Sequence, residues 1–310
     1  MSFKDRFPVI SYYLGKYRQI LSTFFYRKNP IKWTLKTYKR KFGIRLNLDE
    51  PKSFYEKMNY WKHFRYDERQ DELTDKLLVK KYLEKIGYGD WCAKCYYSTR
   101  SVKDAEKWFL ANASQYKKFV IKTSHSCGDV FVYNNGKIVK KGGREISNVN
   151  KVFKMLKIGL KFNHYYSRFE QNYKNLTPMV FFEEYIDYDN QTIEYELMCN
   201  YGKIAFSNIV FDRQSKNSKE VLFDENFKYL ATYYGNPTDA DLERVTKPKE
   251  LEAITKLIEK VCKDFPFCRV DFVQTSKKTY FCEFTFVKSG GINIYKQDDL
   301  NFKLGGLFRN

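Results

Sequence analysis

The stretch CRVDFVQTSKKTYFCEFTF, residues 268–286, limits the fold more than any other part of the chain. It reads as two strands joined by a tight turn. With the turn centred on Lys277, Asp271 and Glu283 are equidistant from the centre and face each other across the hairpin. Side chains alternate along a strand, so Arg269 shares a face with Asp271, and Thr285 with Glu283. Val270, Phe272, Cys282 and Phe284 take the opposite face, toward a core. Two like charges directly across a ladder are destabilising. A raised pKa, a cationic side chain or a bound metal would each relieve them. Carboxylates alone, with few His in the chain and no supporting Cys, suit a hard, oxygen-seeking ion such as Mg²⁺. The plainer alternative is two acids at the solvent rim, neutralised by lysines.

Further hairpins fill the chain. KFVIKTSHSCGDVFVYNNGKIV (118–139) gives three short strands, with an Asn-Asn-Gly turn between the last two. TIEYELMCNYGKIAFSNIVFD (192–212) is a hairpin around Asn200–Gly202. WCAKCYYS (91–98) reads as a strand, and PMVFFEEYID (178–187) as a buried strand running into a loop. Helices are expected after Ser53, whose capping box uses Glu56, and over 71–87, with Lys76 in the first turn. Others are expected over 101–113, 147–162 and 248–265. Residues 213–247 read as polar and irregular, and a polar tail runs from Lys288. The fold class is α+β with mostly antiparallel hairpins, not a doubly wound sheet.

A 310-residue chain with 43% hydrophobic and 18% aromatic residues is globular. Its formal charge of +19 implies an anionic partner: nucleic acid, anionic membrane, nucleotide or acidic glycan. No helix-turn-helix, RNA-recognition or zinc-finger signature accompanies that charge, so no nucleic-acid partner is expected. No run approaches the ~18 apolar residues of a membrane span, and no secretory signal opens the sequence. The expected location is the cytoplasm. Residues 1–45 hold twelve Lys/Arg and a single acid, Asp5, with aromatics such as Phe3, Tyr12, Tyr17 and Phe24 interleaved. That pattern fits a basic helical extension over 1–50, either docked on the body or held at the inner face of an anionic membrane. Cys92 and Cys95 lack further zinc ligands and read as reduced thiols in a strand. Cys199, Cys262, Cys268 and Cys282 read as small buried apolar residues.

Two more stretches suit chemistry. Lys122 ends the strand KFVIK and enters the small-residue loop TSHSCGD, an arrangement that suits phosphate oxygens but is no Walker motif. His125 in that loop would touch phosphate or substrate, or simply cap the loop. The FFEEYI strand carries Glu183 and Glu184 and loosens toward Asp187 and Asp189. It would suit an adenine at its backbone edge and a ribose at a carboxylate, or its acids simply face water, as acids at strand ends usually do.

The order of these elements resembles the ATP-grasp superfamily. PKSFYEKMNYWK, LTDKLLVKKYL, KFVIKTSHSCGD, VFFEEYI, YELMCNYGKI, DFPFCRVDF and YFCEFTF are similar to the TupA-like ATP-grasp family of bacterial surface-polysaccharide gene clusters. The resemblance covers about residues 50–305. It implies antiparallel sheets with helices and a nucleotide held between two lobes. The catalytic region would run over 51–310, with a smaller lid lobe at about 115–186. Lys76 and Lys122 look like the lysines on the ATP phosphates, and Gly128 like part of the loop closing over them. Glu183, Glu184 and Ile186 look like the hinge at adenine, with Asp187 beside the ribose. Asp271, Glu283 and Thr285 look like the Mg²⁺ ligands, and Arg269 like a cation for phosphate or substrate carboxylate. Three positions depart from the pattern: HSCGD replaces H-G-S-G, Glu196 stands where relatives often have Lys, and Thr285 replaces Asn.

The activity implied is an ATP-dependent carboxylate–amine ligase acting through an acyl phosphate. Its substrates would be a uronic-acid carboxylate of a capsule or O-antigen precursor and an amino acid or small amine. A glycosyltransferase using Asp187 and Asp189, or a non-catalytic anion-binding protein, are the competing readings.

Overall fold

The structure, a computed structural model, describes residues 6–141, 143–213, 218–295, 297 and 299–309. Phe3 and Asp5 lie outside the described residues. The helices are α1 (Pro8–Phe24), α2 (Pro30–Phe42), α3 (Phe54–Phe64), α4 (Arg69–Thr74), α5 (Leu78–Lys85) and α6 (Val102–Tyr116). After them come α7 (Val149–Gly159), α8 (Tyr165–Arg168), α9 (Asp239–Glu243), α10 (Leu251–Cys262) and α11 (Leu300–Gly306). The strands are β1 (Cys95–Thr99), β2 (Lys118–Thr123), β3 (Val130–Asn134), β4 (Lys137–Lys140), β5 (Arg144–Ile146) and β6 (Val180–Glu184). They continue with β7 (Ile193–Asn200), β8 (Lys203–Phe211), β9 (Lys219–Asp224), β10 (Tyr229–Tyr234), β11 (Cys268–Gln274) and β12 (Thr279–Thr285).

The described residues up to Pro30, with Asp71–Ile186, form one compact unit; Ile31–Gln70 and the residues from Asp187 onward form another. These limits differ from the expected boundary at residue 50 and lid at about 115–186. Residues 8–24 belong to the first unit and α2 largely to the second.

In the first unit six antiparallel strands run β1-β6-β2-β3-β4-β5. Alternation along β2 and β3 puts Phe119, Ile121 and Phe131 into a core with Phe109, Phe153, Leu156 and Phe182. Ser101 starts α6 by accepting from the Asp104 N–H. Asn135 and Gly136 take φ of 46° and 87°, the left-handed pair that a two-residue hairpin turn demands. Three expectations change here. The helix over 71–87 is broken: the Asp75 carboxylate, 4% exposed, accepts from the N–H groups of Leu77 (2.8 Å) and Leu78 (3.1 Å) and so starts α5 afresh. Lys76 therefore sits in the break, not in a first helical turn. Strand β1 starts at Cys95, so Cys92 precedes it. Finally β5, a three-residue edge strand, carries too short a pattern to read.

In the second unit the antiparallel order is β10-β9-β8-β7-β11-β12. The Ser53–Glu56 capping box starts α3. Phe54 there meets Phe206, Phe267, Tyr295 and Phe308 at centroid distances of 5.4–5.8 Å. Helix α11 approaches the start of α3 so closely that a Cβ on Gly305 would lie 2.2 Å from the Lys52 carbonyl oxygen. The expected irregular segment 213–247 instead holds β9, β10 and α9, with 214–217 outside the described residues. Only Val221–Phe223 of β9 is deeply buried, and β10 is a tyrosine-rich edge, so neither shows a clear period. The hairpin of 268–286 is paired as expected at Asp271 and Glu283, but not throughout. The register slips between Asp271 and Phe272, leaving Cys282 as a bulge. Cys282 is consequently exposed, not buried with Phe284, and Phe281 (4% exposed) fills the core in its place.

Candidate active site

The middle of the second sheet carries a polar row. Glu283 on β12, Asp271 on β11, Glu196 on β7 and Asn208 on β8 are successive cross-strand partners. The opposite face of the same strands is dry, with Leu197, Val270 and Phe272 buried. Arg269, two residues from Asp271 on the same face, neutralises the row. Its guanidinium donates to Asp271 Oδ1 (2.7 Å) and Oδ2 (2.6 Å) and to Glu283 Oε1 (2.8 Å). Thr285 Oγ1 donates to Glu283 Oε1 at 3.3 Å.

Glu196 is held by other cations. Lys288, 4% exposed, reaches Oε2 at 3.1 Å, and Arg213 reaches Oε1 at 2.8 Å. The Asn208 amide also donates to Glu196, at 2.9 Å. Burial would raise the Glu196 pKa, but Arg269, Lys288 and Arg213 hold it well below the usual range. Asp271 goes the other way. Burial, with Glu196 and Glu283 alongside, pushes it up to about 8 against the pull of Arg269.

The first unit carries a basic cluster. Glu183 on β6 is 4% exposed and lies between two ammonium groups: Lys122 on β2 pairs with Oε1, and Lys80 on α5 with Oε2 at 2.7 Å. Burial alone would raise the Glu183 pKa; the two lysines bring it down to about 2. Lys76 does not join this cluster. Its Nζ donates to the Ser126 carbonyl at 2.9 Å, and its own N–H to the Ser124 carbonyl at 3.3 Å, so it braces the small-residue loop.

Asp129 organises that loop. It accepts from Ser126 Oγ (2.7 Å) and, from α1, from Tyr12 Oη (2.7 Å) and Lys16 Nζ (2.9 Å). Gly128 takes φ of 87° with open space around it, so the backbone conformation and not packing calls for glycine. His125 is 2% exposed, with Nε2 3.3 Å from the Gly159 carbonyl, and burial lowers its pKa. That is the loop-capping position, away from any open surface.

At the other expected segment the strand ends at Glu184. The Glu184 N–H donates to the Lys94 carbonyl at 2.9 Å, so an adenine contact from Glu184 would fall to its carbonyl oxygen. Ile186 is half-buried and Asp187 exposed. Asp189 is committed to the β11–β12 turn: it accepts from Ser276 N–H (3.0 Å) and Oγ (2.7 Å), which, with Thr192, bring its pKa to about 2.

Sequence reasoning missed Lys80, Arg213, Lys288 and Asp129. Lys80 follows Lys76 by four residues, and Asp129 follows Gly128 directly, so proximity was available as a signal. For Arg213 and Lys288, which lie beyond strand ends, none was.

The TupA-like ATPgrasp family model matches residues 56–309. No match was found among the curated proteins. Among solved structures, the ATP-grasp ligase PsnB with a precursor variant, Mg and ADP is 7% identical, covering 77% of this chain and 58% of that one at a TM-score of 0.36. The chain thus spans under two thirds of that ligase's length. D-cycloserine synthetase DcsG is 14% identical, covering 76% and 69% at 0.37. D-alanine–D-alanine ligase from Helicobacter pylori is 16% identical, covering 82% and 68% at 0.38. With the family match running from α3 to the C-terminal residues, the chain belongs to the TupA-like ATPgrasp family.

Proposed function

We propose that the protein is an ATP-dependent carboxylate–amine ligase. The reading is carried by the Glu283–Asp271–Glu196 row, three carboxylates set side by side across adjacent strands β12, β11 and β7. Mg²⁺ characteristically takes one or two protein carboxylates and completes its shell with substrate phosphates and water. Asp271 and Glu283, with Thr285 Oγ1 beside them, fit that donor set. When bound, the ion would neutralise phosphate oxygens. Among the described residues no group of three or more His, Cys, Asp or Glu side chains is placed to hold a metal ion by itself.

In this reading a carboxylate oxygen of the first substrate attacks the γ-phosphorus of ATP, and ADP leaves. An amine then attacks the acyl carbon, phosphate leaves, and the amine loses a proton to solvent. The protein supplies position and charge. Lys122 takes phosphate charge from its place beside Glu183, and Lys76 keeps the loop backbone in place for the same phosphates. Gly128 lets that loop turn. Glu184 and Ile186 offer backbone to adenine, and Asp187 a carboxylate to ribose. Arg269, freed in part from Asp271, meets the incoming carboxylate or the phosphate being transferred. His125 serves the loop, not the reaction. The substrates are a uronic-acid carboxylate of a capsule or O-antigen precursor and an amino acid or small amine, at the inner face of the membrane.

The test is incubation with ATP, Mg²⁺ and panels of uronic acids and amines. ADP and phosphate released together with an amide of the summed mass support it. UDP release from a nucleotide sugar without ATP use would overturn it in favour of a glycosyltransferase.

A further inference from the structure

Helix α1 is apolar on two opposite faces. Tyr12 and Thr23 are buried on one, where Tyr12 and Lys16 reach Asp129. On the other, Phe7, Ile10, Leu14, Tyr17, Leu21 and Phe24 recur at spacings of three and four and are 37–51% exposed. The helix thus has one side for the body and one that stands partly exposed among the described residues.

The surroundings of this stripe are cationic. The Arg6 guanidinium lies over the Phe7 ring at 5.5 Å and that of Arg27 over the Phe24 ring at 4.9 Å. Arg18 is exposed at its flank. No Asp or Glu occurs between Arg6 and Leu48.

A second copy of the chain would suit the three-four spacing of the stripe. It would also bring Arg6, Arg18 and Arg27 against their own kind, with no acid in the segment to pair them. An anionic lipid surface suits both features: aliphatic and aromatic side chains enter the headgroup boundary, and arginines meet lipid phosphates. No helix among the described residues is long and apolar enough to cross a membrane, so α1 would lie on the surface.

We propose that α1 is a lipid-docking helix, its Phe7–Phe24 stripe seated in an anionic membrane surface and Arg6, Arg18 and Arg27 on the lipid phosphates. This deepens the reading that places the enzyme at the inner face of the membrane, but does not depend on the ligase chemistry. From its other face the same helix holds the loop at Gly128, through the hydrogen bond from Tyr12 to Asp129.

The experiment is co-sedimentation of the full chain with vesicles. Vesicles of phosphatidylglycerol mixed with phosphatidylcholine should bind it, phosphatidylcholine alone should not, and added salt should release it. Leu14→Glu combined with Leu21→Glu should weaken partitioning by about tenfold or more, with the thermal melt and ATP-dependent ADP release unchanged. Should that variant fold poorly, Arg18→Glu keeps the test open, since it should cut binding to the mixed vesicles alone. Equal binding to neutral vesicles, or no binding to either, overturns the proposal. So does a dimer by light scattering that the leucine variant dissolves, which would make a second copy the occupant. Vesicle binding without ADP release would sink the ligase reading and leave this one standing.

Discussion

Asp271 and Glu283 are direct cross-strand partners, and a single guanidinium, that of Arg269, donates to both. Burial, with Glu196 and Glu283 alongside, still pushes Asp271 up to about 8. A carboxyl raised in the folded state contributes stability that is full below its ordinary value near 3.8 and fades as pH rises toward about 8. Urea unfolding of the metal-free protein should therefore show stability falling between pH 4 and pH 8. Asp271→Asn should flatten that fall. It should also abolish the rise in melting temperature that Mg²⁺ gives the wild type, and lower ATP-dependent turnover by at least about 100-fold. A Mg²⁺-dependent melting shift retained in Asp271→Asn would remove Asp271 from the metal role.

Glu196 plays the opposite part. It compensates Lys288 and Arg213. Arg213 is exposed and keeps Glu194, but Glu196→Ala would leave the buried Lys288 ammonium unpaired, at about 3–5 kcal/mol. Glu196→Gln keeps the shape and the hydrogen-bonding oxygen and should cost less. Chemical denaturation of the two variants checks the order. Equal, small losses would mean that solvent already compensates these cations.

The Glu183 cluster gives a separate acid limb. A carboxyl lowered to about 2 stabilises the fold above its ordinary value of 4.5 and loses that contribution as pH drops toward 2. The shift corresponds to roughly 3 kcal/mol, the group being buried. Glu183→Gln should be less stable at neutral pH by about that amount and show a shallower acid limb. Lys122→Met leaves Lys80 on Glu183, so it should fold while the KM for ATP rises by about tenfold or more. Titrating unfolding against pH for the first variant, and ATP for the second, separates structure from binding.

Much of this was legible before any coordinates, for particular reasons. The Asp271–Glu283 pairing followed from counting outward from Lys277. Yet the observed turn spans Thr275–Lys278, with the Thr275 N–H donating to the Lys278 carbonyl, and the bulge at Cys282 restores the register. The pairing was right because half a residue of turn and one residue of bulge offset each other. Local signals also placed the ends of α3 and α6, since a capping serine is written beside the helix it starts. What escaped is non-local. Nothing within 71–87 announces that the Asp75 carboxylate turns back on its own backbone. Likewise Lys288 finds Glu196 from 92 positions away. Strands β9 and β10 hid because an edge hairpin buries little and alternates weakly.

Tyr12 and Asp129 supply the last prediction. The phenol donates at 2.7 Å to a carboxylate that is 3% exposed and also holds Ser126. Loss of one hydrogen bond to a buried charge is worth about 1.5–3 kcal/mol. Tyr12→Phe keeps the ring in the core and removes only that donor. Lys16 and Ser126 still hold Asp129, so the loss should fall at the lower end of that range. It should show first as faster amide exchange over Ser124–Gly128, before any change in the β2–β6 strands, because the loop hangs from Asp129 while the strands do not. Gly159→Ala should act similarly, since its Cβ would stand 2.8 Å from the Tyr12 oxygen and press on the same bond. Exchange that is uniform across the unit in both variants would mean that α1 only stabilises the body and does not set the loop.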